Sequence, residues 1–162
     1  MIIRLAKIED EQKIAELIAQ FRVELKSFKG IKSEPNINAA KEEFGEYIDA
    51  NYPIYVAENN KELVGYLVCR VEESLVWAES LFVLNNLRRQ GIASKLYKEA
   101  ENLSKKLGGE TVFNYVHPNN DKIIKFLAKM GYDVLNLIEI RKPWKDEILT
   151  KEIRVLNNFY RY

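Results

Sequence analysis

A glycine-led transition from an apolar strand to a long amphipathic helix constrains the fold of this chain more than any other feature. The apolar run 80–84 is followed by a polar turn and then by residues 88–93, which read RRQGIA. From Ile92 to Leu107 apolar residues recur at three- and four-residue steps, the spacing typical of an amphipathic helix. The first turn of such a helix leaves backbone N–H groups unpaired, and these groups and the helix dipole favour an anion. The sequence therefore predicts a strand–loop–helix unit with an anion site at the start of the helix.

The residue types of the RRQGIA segment suit a phosphate ligand. Gly91 lets the backbone approach a ligand closely, and Ala93 keeps that approach open. Arg88 and Arg89 are able to add charge-assisted hydrogen bonds to phosphate oxygens. The alternative interpretation is that the arginines are solvated charge and the glycine is an ordinary helix start. The segment is not a Walker loop, because no Gly-Lys-Ser/Thr follows, and it lacks the three glycines of a dinucleotide fingerprint.

Composition excludes several classes of function. The chain of 162 residues is predicted to form one domain, 1–162, and its net charge of +1 argues against a dominant nucleic-acid-binding role. The single cysteine, Cys69, lies in an apolar run and indicates a buried structural thiol, and no Cys/His cluster has metal-ligand spacing, so no metal is expected. Neither a signal-peptide pattern nor an apolar run of membrane-spanning length is present, which predicts a cytoplasmic protein with no membrane partner.

Hydrophobic periodicity and turn residues predict an α/β chain. Four helices are predicted. The first begins at Asp10, the next two run over 39–50 and 92–107, and the last extends from Asn120 to Gly131. The predicted strands cover 2–6, 54–57, 63–71, 75–84, 111–116 and 132–141. Successive hairpin strands followed by strand–helix–strand crossovers indicate a mixed sheet with helices on both faces. The charged and aromatic tail, about 143–162, is expected to be a helix that packs on the domain or on a partner.

With this order of elements, the chain resembles the GCN5-related N-acetyltransferase (GNAT) superfamily over roughly residues 1–141. Residues 83–93 (V-x-x-x-x-R-x-x-G-x-A) are similar to the family's acyl-CoA motif V-x-x-x-x-[QR]-x-x-G-x-[GA]. Residues 120–132 are similar to its N-x-x-A-x-x-[FL]-Y-x-K-x-G-[FY] segment. The resemblance implies a mixed, mostly antiparallel central sheet flanked by helices on both faces, with two strands splayed at the acyl-CoA site.

The resemblance also implies acetyl-CoA as the acetyl donor. The pantetheine arm of such a donor inserts between the strands that correspond to 75–84 and 111–116, and pairs with backbone like an extra strand. Backbone N–H groups of residues 89–94 hold the pyrophosphate. The cofactor-binding residues implied in this way are Leu81, Phe82, Val83, Arg88, Arg89, Gln90, Gly91, Ile92, Ala93, Ser94 and Asn120.

The chemistry implied is removal of a proton from an ammonium group and attack of the amine on a thioester. Glu79, on the strand that enters the motif, is the predicted base, and its alternative interpretation is a solvated strand carboxylate. At the family's usual tyrosine position this chain has Leu127, which is unable to protonate a thiolate. Either solvent supplies that proton, or Tyr115 or His117, near the end of the neighbouring strand, does so.

The sequence therefore predicts an N-acetyltransferase that acts on a primary amine in a ternary complex. The alternative is a non-catalytic acyl-CoA-binding sensor or interaction domain, which the missing tyrosine favours. A small amine, an amino-acid derivative and a protein N-terminus all remain open as acceptors, and no nucleic-acid partner is expected. By analogy with such folds, the tail is a candidate for homodimer formation.

Overall fold

The chain folds around a five-stranded sheet with the strand order β1-β2-β3-β4-β5. The computed structural model describes residues 1–162, which divide into two compact units, 1–131 and 132–162. The first unit contains β1 (Ile2–Leu5), β2 (Ile54–Asn59), β3 (Glu62–Glu72), β4 (Leu75–Val83) and β5 (Val112–Phe113). Neighbouring strands are antiparallel except for β4 and β5, which are parallel. The predicted mixed, mostly antiparallel sheet is confirmed.

The first unit also contains four helices: α1 (Glu11–Ser27), α2 (Ile37–Asp49), α3 (Ile92–Lys106) and α4 (Asp121–Lys129). Asparagine side chains cap two of them, because Asn36 accepts from the Ala39 N–H at 3.0 Å and Asn120 accepts from the Ile123 N–H at 3.3 Å. None of the four has the length and hydropathy needed to cross a bilayer.

Burial along β3 shows that both faces of the sheet are covered. Every residue from Leu63 to Cys69 is buried, and successive strand side chains point to opposite faces. Tyr66 and Phe82 belong to the core that α1 and α2 form on one face. Leu67 alternates with Tyr66 along the strand, so it belongs to the opposite face, where α3 packs.

Two predictions about the C-terminal part of the chain are wrong. Residues 132–141 form no strand, because their apolar residues have no ladder partner and remain exposed, Val134 at 86% and Leu137 at 74%. The tail contains no helix. It forms an antiparallel hairpin of β6 (Glu152–Val155) and β7 (Asn158–Arg161) within the second unit. The β-branched residues Ile153 and Val155 and the aromatic residues Phe159 and Tyr160 suit a strand better than a helix. The predicted strand 111–116 is also shorter than expected, since only 112–113 pair.

Cys69 is expected to resist thiol reagents in the folded protein. It is fully buried, and burial raises the pKa of its thiol to about 12. Because the thiolate is the reactive form, modification at pH 8 should be negligible under native conditions and complete in denaturant. A thiol titration with and without guanidinium chloride measures this. Rapid native modification would contradict the buried structural role.

Candidate functional site

Strands β4 and β5 part soon after they meet, which opens a gap at the sheet edge. Their ladder ends at the pair Trp77–Phe113, whereas β4 continues to Val83. The Leu84 N–H donates to a β3 carbonyl at 3.0 Å, so by alternation the backbone groups of Leu81 and Val83 face away from β3. These groups lie on the free edge of β4, where an extended ligand is able to add as a strand.

A run of unpaired backbone N–H groups follows this free edge. The Arg88 N–H donates to the preceding turn, and the next backbone bond runs from the Lys95 N–H to the Gly91 carbonyl at 3.1 Å. The N–H groups of residues 89–94, which we call the cradle, have no acceptor. Arg89 and Gly91 both have left-handed backbone, with φ of 62° and 78°. Successive N–H groups in such turns form concave anion sites, so the cradle fits a phosphate group.

The side chain of Arg88 is bound within the protein. Its Nη1 and Nη2 donate to the two carboxylate oxygens of Glu24 at 2.8 and 2.5 Å, and its Nε donates to the Val83 carbonyl at 2.8 Å. The guanidinium lies over the Phe82 ring, 5.2 Å from its centroid. Lys122 of α4 makes a second ion pair with Glu24 at 3.3 Å. Hydrogen bonds from Arg88 outweigh burial and hold the pKa of Glu24 below its usual range. Arg88 therefore acts here as a link between α1 and the end of β4, whereas the sequence predicted that its side chain would bind a phosphate.

Beside this link lies an open cleft of about 380 Å³ between α1, the loop after α1 and the end of β4. The loop contributes Phe28 and Pro35 to the wall of this cleft. The full lining is Gln20, Val23, Glu24, Ser27, Phe28, Pro35, Phe82, Asn85 and Lys122.

Glu79 occupies a β-bulge where β4 begins to leave β5. The ladder to β3 skips it, because Ser80 pairs with Val68 and Ala78 pairs with the next residue of β3. Its carboxylate lies 3.2 Å from Arg70 Nε, an ion pair without hydrogen-bond geometry. A bulge changes the direction in which a side chain points. The predicted base therefore lies on an irregular part of β4, just beyond the end of its ladder with β5, where the gap opens.

Arg70 contacts two of the predicted catalytic residues, Glu79 and Tyr115. Its guanidinium lies 4.5 Å from the Trp77 ring centroid and 5.4 Å from that of Tyr115, which is 68% exposed. Partial burial opposes its charge, but Tyr115, Glu79 and Glu72 outweigh that effect and raise the pKa of Arg70. Tyr115 and Glu79 thus contact the same guanidinium. Arg70 was not identified from sequence, and only its position opposite Trp77 in a correct strand register would have shown it.

Other predicted residues have different surroundings. The His117 side chain is exposed, and its backbone carbonyl accepts from the Asn120 N–H at 2.9 Å. The Asn120 side chain is occupied in capping α4. Leu127, at the position of the missing tyrosine, is buried and belongs to the core.

Asn114 is a further residue that sequence reasoning missed. Its Oδ1 accepts from the hydroxyl of the buried Tyr97 at 3.0 Å, and its Nδ2 donates to the Val112 carbonyl at 3.2 Å. These bonds fix the backbone of β5 at the residue where it leaves β4. No local pattern marks them, since Tyr97 lies on α3.

The chain is similar to several solved structures. A protein from Bacillus halodurans, solved as a mutant, is 19% identical with a TM-score of 0.74, covering 89% of this chain and 99% of that one. An aminoglycoside 6'-N-acetyltransferase from Acinetobacter haemolyticus is 14% identical with a TM-score of 0.65, covering 91% and 100%. The aminoglycoside acetyltransferase AAC(6')-Iy, solved with a bisubstrate analogue of CoA, is 18% identical with a TM-score of 0.67, covering 88% and 98%. These likenesses establish a shared fold.

The sequence itself matches a family model. The model described as the acetyltransferase (GNAT) family aligns with residues 16–132, which include most of α1, the free edge of β4, the cradle and α4. That match spans well over half of the chain, so the protein belongs to the GNAT acetyltransferase family.

Proposed function

We propose that this protein is an acetyl-CoA-dependent N-acetyltransferase that moves an acetyl group to a primary amine by direct attack in a ternary complex. The observation that carries the proposal is the placement of the cradle directly after the free edge of β4. The free edge fits an extended chain that pairs with backbone, and the cradle fits the phosphates at the end of that chain. The acetyl donor of the family has both parts.

The free edge and the cradle divide the work of holding the donor. When bound, acetyl-CoA supplies its acetyl group as a thioester that an amine is able to attack. The backbone of Leu81 and the N–H of Val83 would pair with the pantetheine arm, with Phe82 between them, while the Val83 carbonyl keeps its bond from Arg88. The N–H groups of residues 89–94 would take the pyrophosphate, and Asn120 would face the arm from the start of α4. Arg88 contributes by fixing the loop.

Glu79 is proposed as the base that takes a proton from the acceptor ammonium, directly or through water. Its place on the bulge, where the strands part, supports this role. Tyr115 is the preferred source of a proton for the departing thiolate, because its ring contacts the guanidinium that Glu79 also contacts. His117, on an exposed turn, is the second candidate.

The acceptor is proposed to be an amine of a small molecule or a peptide. Aminoglycoside acetyltransferases of the same fold act on small-molecule amines, which supports the first class. The near-neutral charge supports the absence of a nucleic-acid partner. We also propose a cytoplasmic location and a homodimer to which the tail, about 143–162, contributes.

A non-catalytic acyl-CoA sensor is the second candidate function. The specific observation in its favour is Leu127, which is buried where many relatives place a tyrosine. Turnover of acetyl-CoA on a broad panel of amines, followed by release of the CoA thiol, separates the two. Turnover on any amine establishes the enzyme, and binding of CoA without turnover favours the sensor.

Thermal unfolding of the full chain is expected to shift upward with acetyl-CoA and with CoA. A ligand at 100 times its dissociation constant stabilises the folded state by about 2.7 kcal/mol, or about 5–10 °C for a chain of this size. ATP at the same concentration is the control, because it has phosphates but no pantetheine arm to pair with β4. A shift with ATP alone, or no shift with either CoA compound, would overturn the donor site.

A further inference from the structure

We propose that Glu24 of α1 is a positioning residue for the binding of acetyl-CoA. By pairing with Arg88 it fixes the residue that precedes the cradle, so that the N–H groups of residues 89–94 are aligned before a phosphate arrives. The inference goes beyond the proposed reaction and rests only on the cradle as the phosphate site.

Three hydrogen bonds and a ring contact hold the guanidinium of Arg88 against the protein. Its guanidinium uses the Nη1 and Nη2 edge for Glu24, its Nε for the Val83 carbonyl, and one face for the ring of Phe82. Only 26% of its side chain is exposed, and 17% of that of Glu24. Bidentate arginine–carboxylate pairs of this kind fix both partners in orientation as well as distance.

The link acts at the position where the backbone turns. Arg88 has extended backbone, with φ −68° and ψ 163°, and the next residue, Arg89, has the left-handed φ of 62° that begins the cradle. Left-handed backbone at a non-glycine residue carries a conformational cost, so it persists where neighbouring contacts determine it. Glu24 and the Val83 carbonyl are the contacts that hold Arg88, and thereby the start of this turn.

Lys122 contributes less to the same carboxylate. Its side chain is 71% exposed and reaches Glu24 with one contact at 3.3 Å. An exposed monodentate pair of this kind contributes little to stability. The positioning effect therefore depends on the Arg88–Glu24 pair.

Charge and positioning predict opposite results for the loss of Glu24. CoA is polyanionic, so removal of a nearby carboxylate should strengthen its binding if only Coulomb repulsion mattered. If Glu24 aligns the cradle, the same change should weaken binding, because the loop must then be ordered at the expense of binding energy. The sign of the change in dissociation constant decides between them.

The test is the dissociation constant of free CoA for the full chain, measured by isothermal titration calorimetry at fixed salt. We expect Glu24→Gln and Glu24→Asp to weaken binding at least tenfold, the second because the shorter side chain keeps the charge but loses the bidentate reach. The matched control is Glu16→Gln, on the same helix, where the exposed carboxylate accepts from Gln12 and does not touch Arg88. It should change the constant less than twofold.

A double variant tests whether Glu24 acts through Arg88. Arg88→Gln should weaken CoA binding in the native background and add less than a twofold effect in the Glu24→Gln background, because the pair is already broken. A full additional loss would mean that Arg88 binds phosphate independently and would overturn the proposal.

The remaining outcomes are equally decisive. Unchanged or tighter binding by a folded Glu24→Gln chain overturns the positioning role while the cradle stands. If Glu24→Gln fails to fold, Glu24→Asp gives the same reading. Failure of the native chain to bind CoA at all overturns the cradle itself and is recognised before any variant is compared.

Discussion

Gly91→Glu is expected to weaken the binding of CoA at least 100-fold while the fold remains intact. Gly91 has φ of 78°, and a Cβ built there meets no atom within 4 Å, so a larger side chain occupies the open space beside the cradle. A carboxylate in that space blocks the approach of the pyrophosphate and repels its charge. The left-handed backbone adds a strain of about 1–2 kcal/mol for a residue other than glycine. Calorimetric titration with CoA measures the loss.

A glycine at the other end of the same helix provides the control for the effect of backbone strain. Gly108 follows α3, has φ of 84°, and also leaves a Cβ without neighbours within 4 Å. Gly108→Glu should therefore lower the melting temperature by a similar amount and leave CoA affinity within about twofold. Near-native CoA affinity of a folded Gly91→Glu chain would refute the placement of the cradle.

Local sequence patterns predicted the cradle because its causes are local. The apolar spacing after Ile92 determines the helix, and a glycine at residue 91 supports the left-handed turn that precedes it. The same holds for the hairpin strands β2, β3 and β4, whose turns are marked by Asn60 and Glu73, both with positive φ. Patterns that span a few residues were therefore sufficient to predict this part of the fold.

Contacts between distant residues were beyond such patterns. Arg88 and Glu24 lie 64 residues apart, and nothing near either one indicates that α1 passes the end of β4. Arg70 was missed for a similar reason, because its contacts with Glu79 and Tyr115 depend on a bulge and on the divergence of β5. Charged residues in a sequence show their sign and not their partner.

The C-terminal errors show the limit of alternation as a signal. Residues 132–141 have the apolar content of a strand, yet a strand also needs a neighbour with free backbone groups, which a single sequence does not identify. The hairpin of β6 and β7 forms because each strand supplies that neighbour within a few residues. Its closing bonds join Lys151 and Tyr162, each N–H donating to the other's carbonyl at 2.9 Å.

Glu79→Gln is expected to lower kcat about 100-fold on any amine that the native enzyme acetylates, with the dissociation constant of CoA unchanged. The amide keeps the size of the side chain but is unable to accept a proton, and loss of a general base costs a factor of about 10² or more. CoA affinity should not respond, because Glu79 lies on the bulge and its carboxylate is not one of the backbone groups of Leu81 and Val83 that are proposed to pair with the donor. Steady-state turnover and calorimetric titration of the same preparation provide both values.

Glu73→Gln is the matched control, because Glu73 is an exposed acid in the turn between β3 and β4 and makes no ion pair. It should leave both values unchanged, which removes net charge as an explanation for the Glu79 result. Full turnover by a folded Glu79→Gln chain would show that this carboxylate only balances Arg70, and that solvent takes the proton from the amine. A loss of CoA affinity equal to the loss of turnover would instead assign Glu79 to the shape of the gap, since its ion pair with Arg70 joins β4 to β3 where β5 departs.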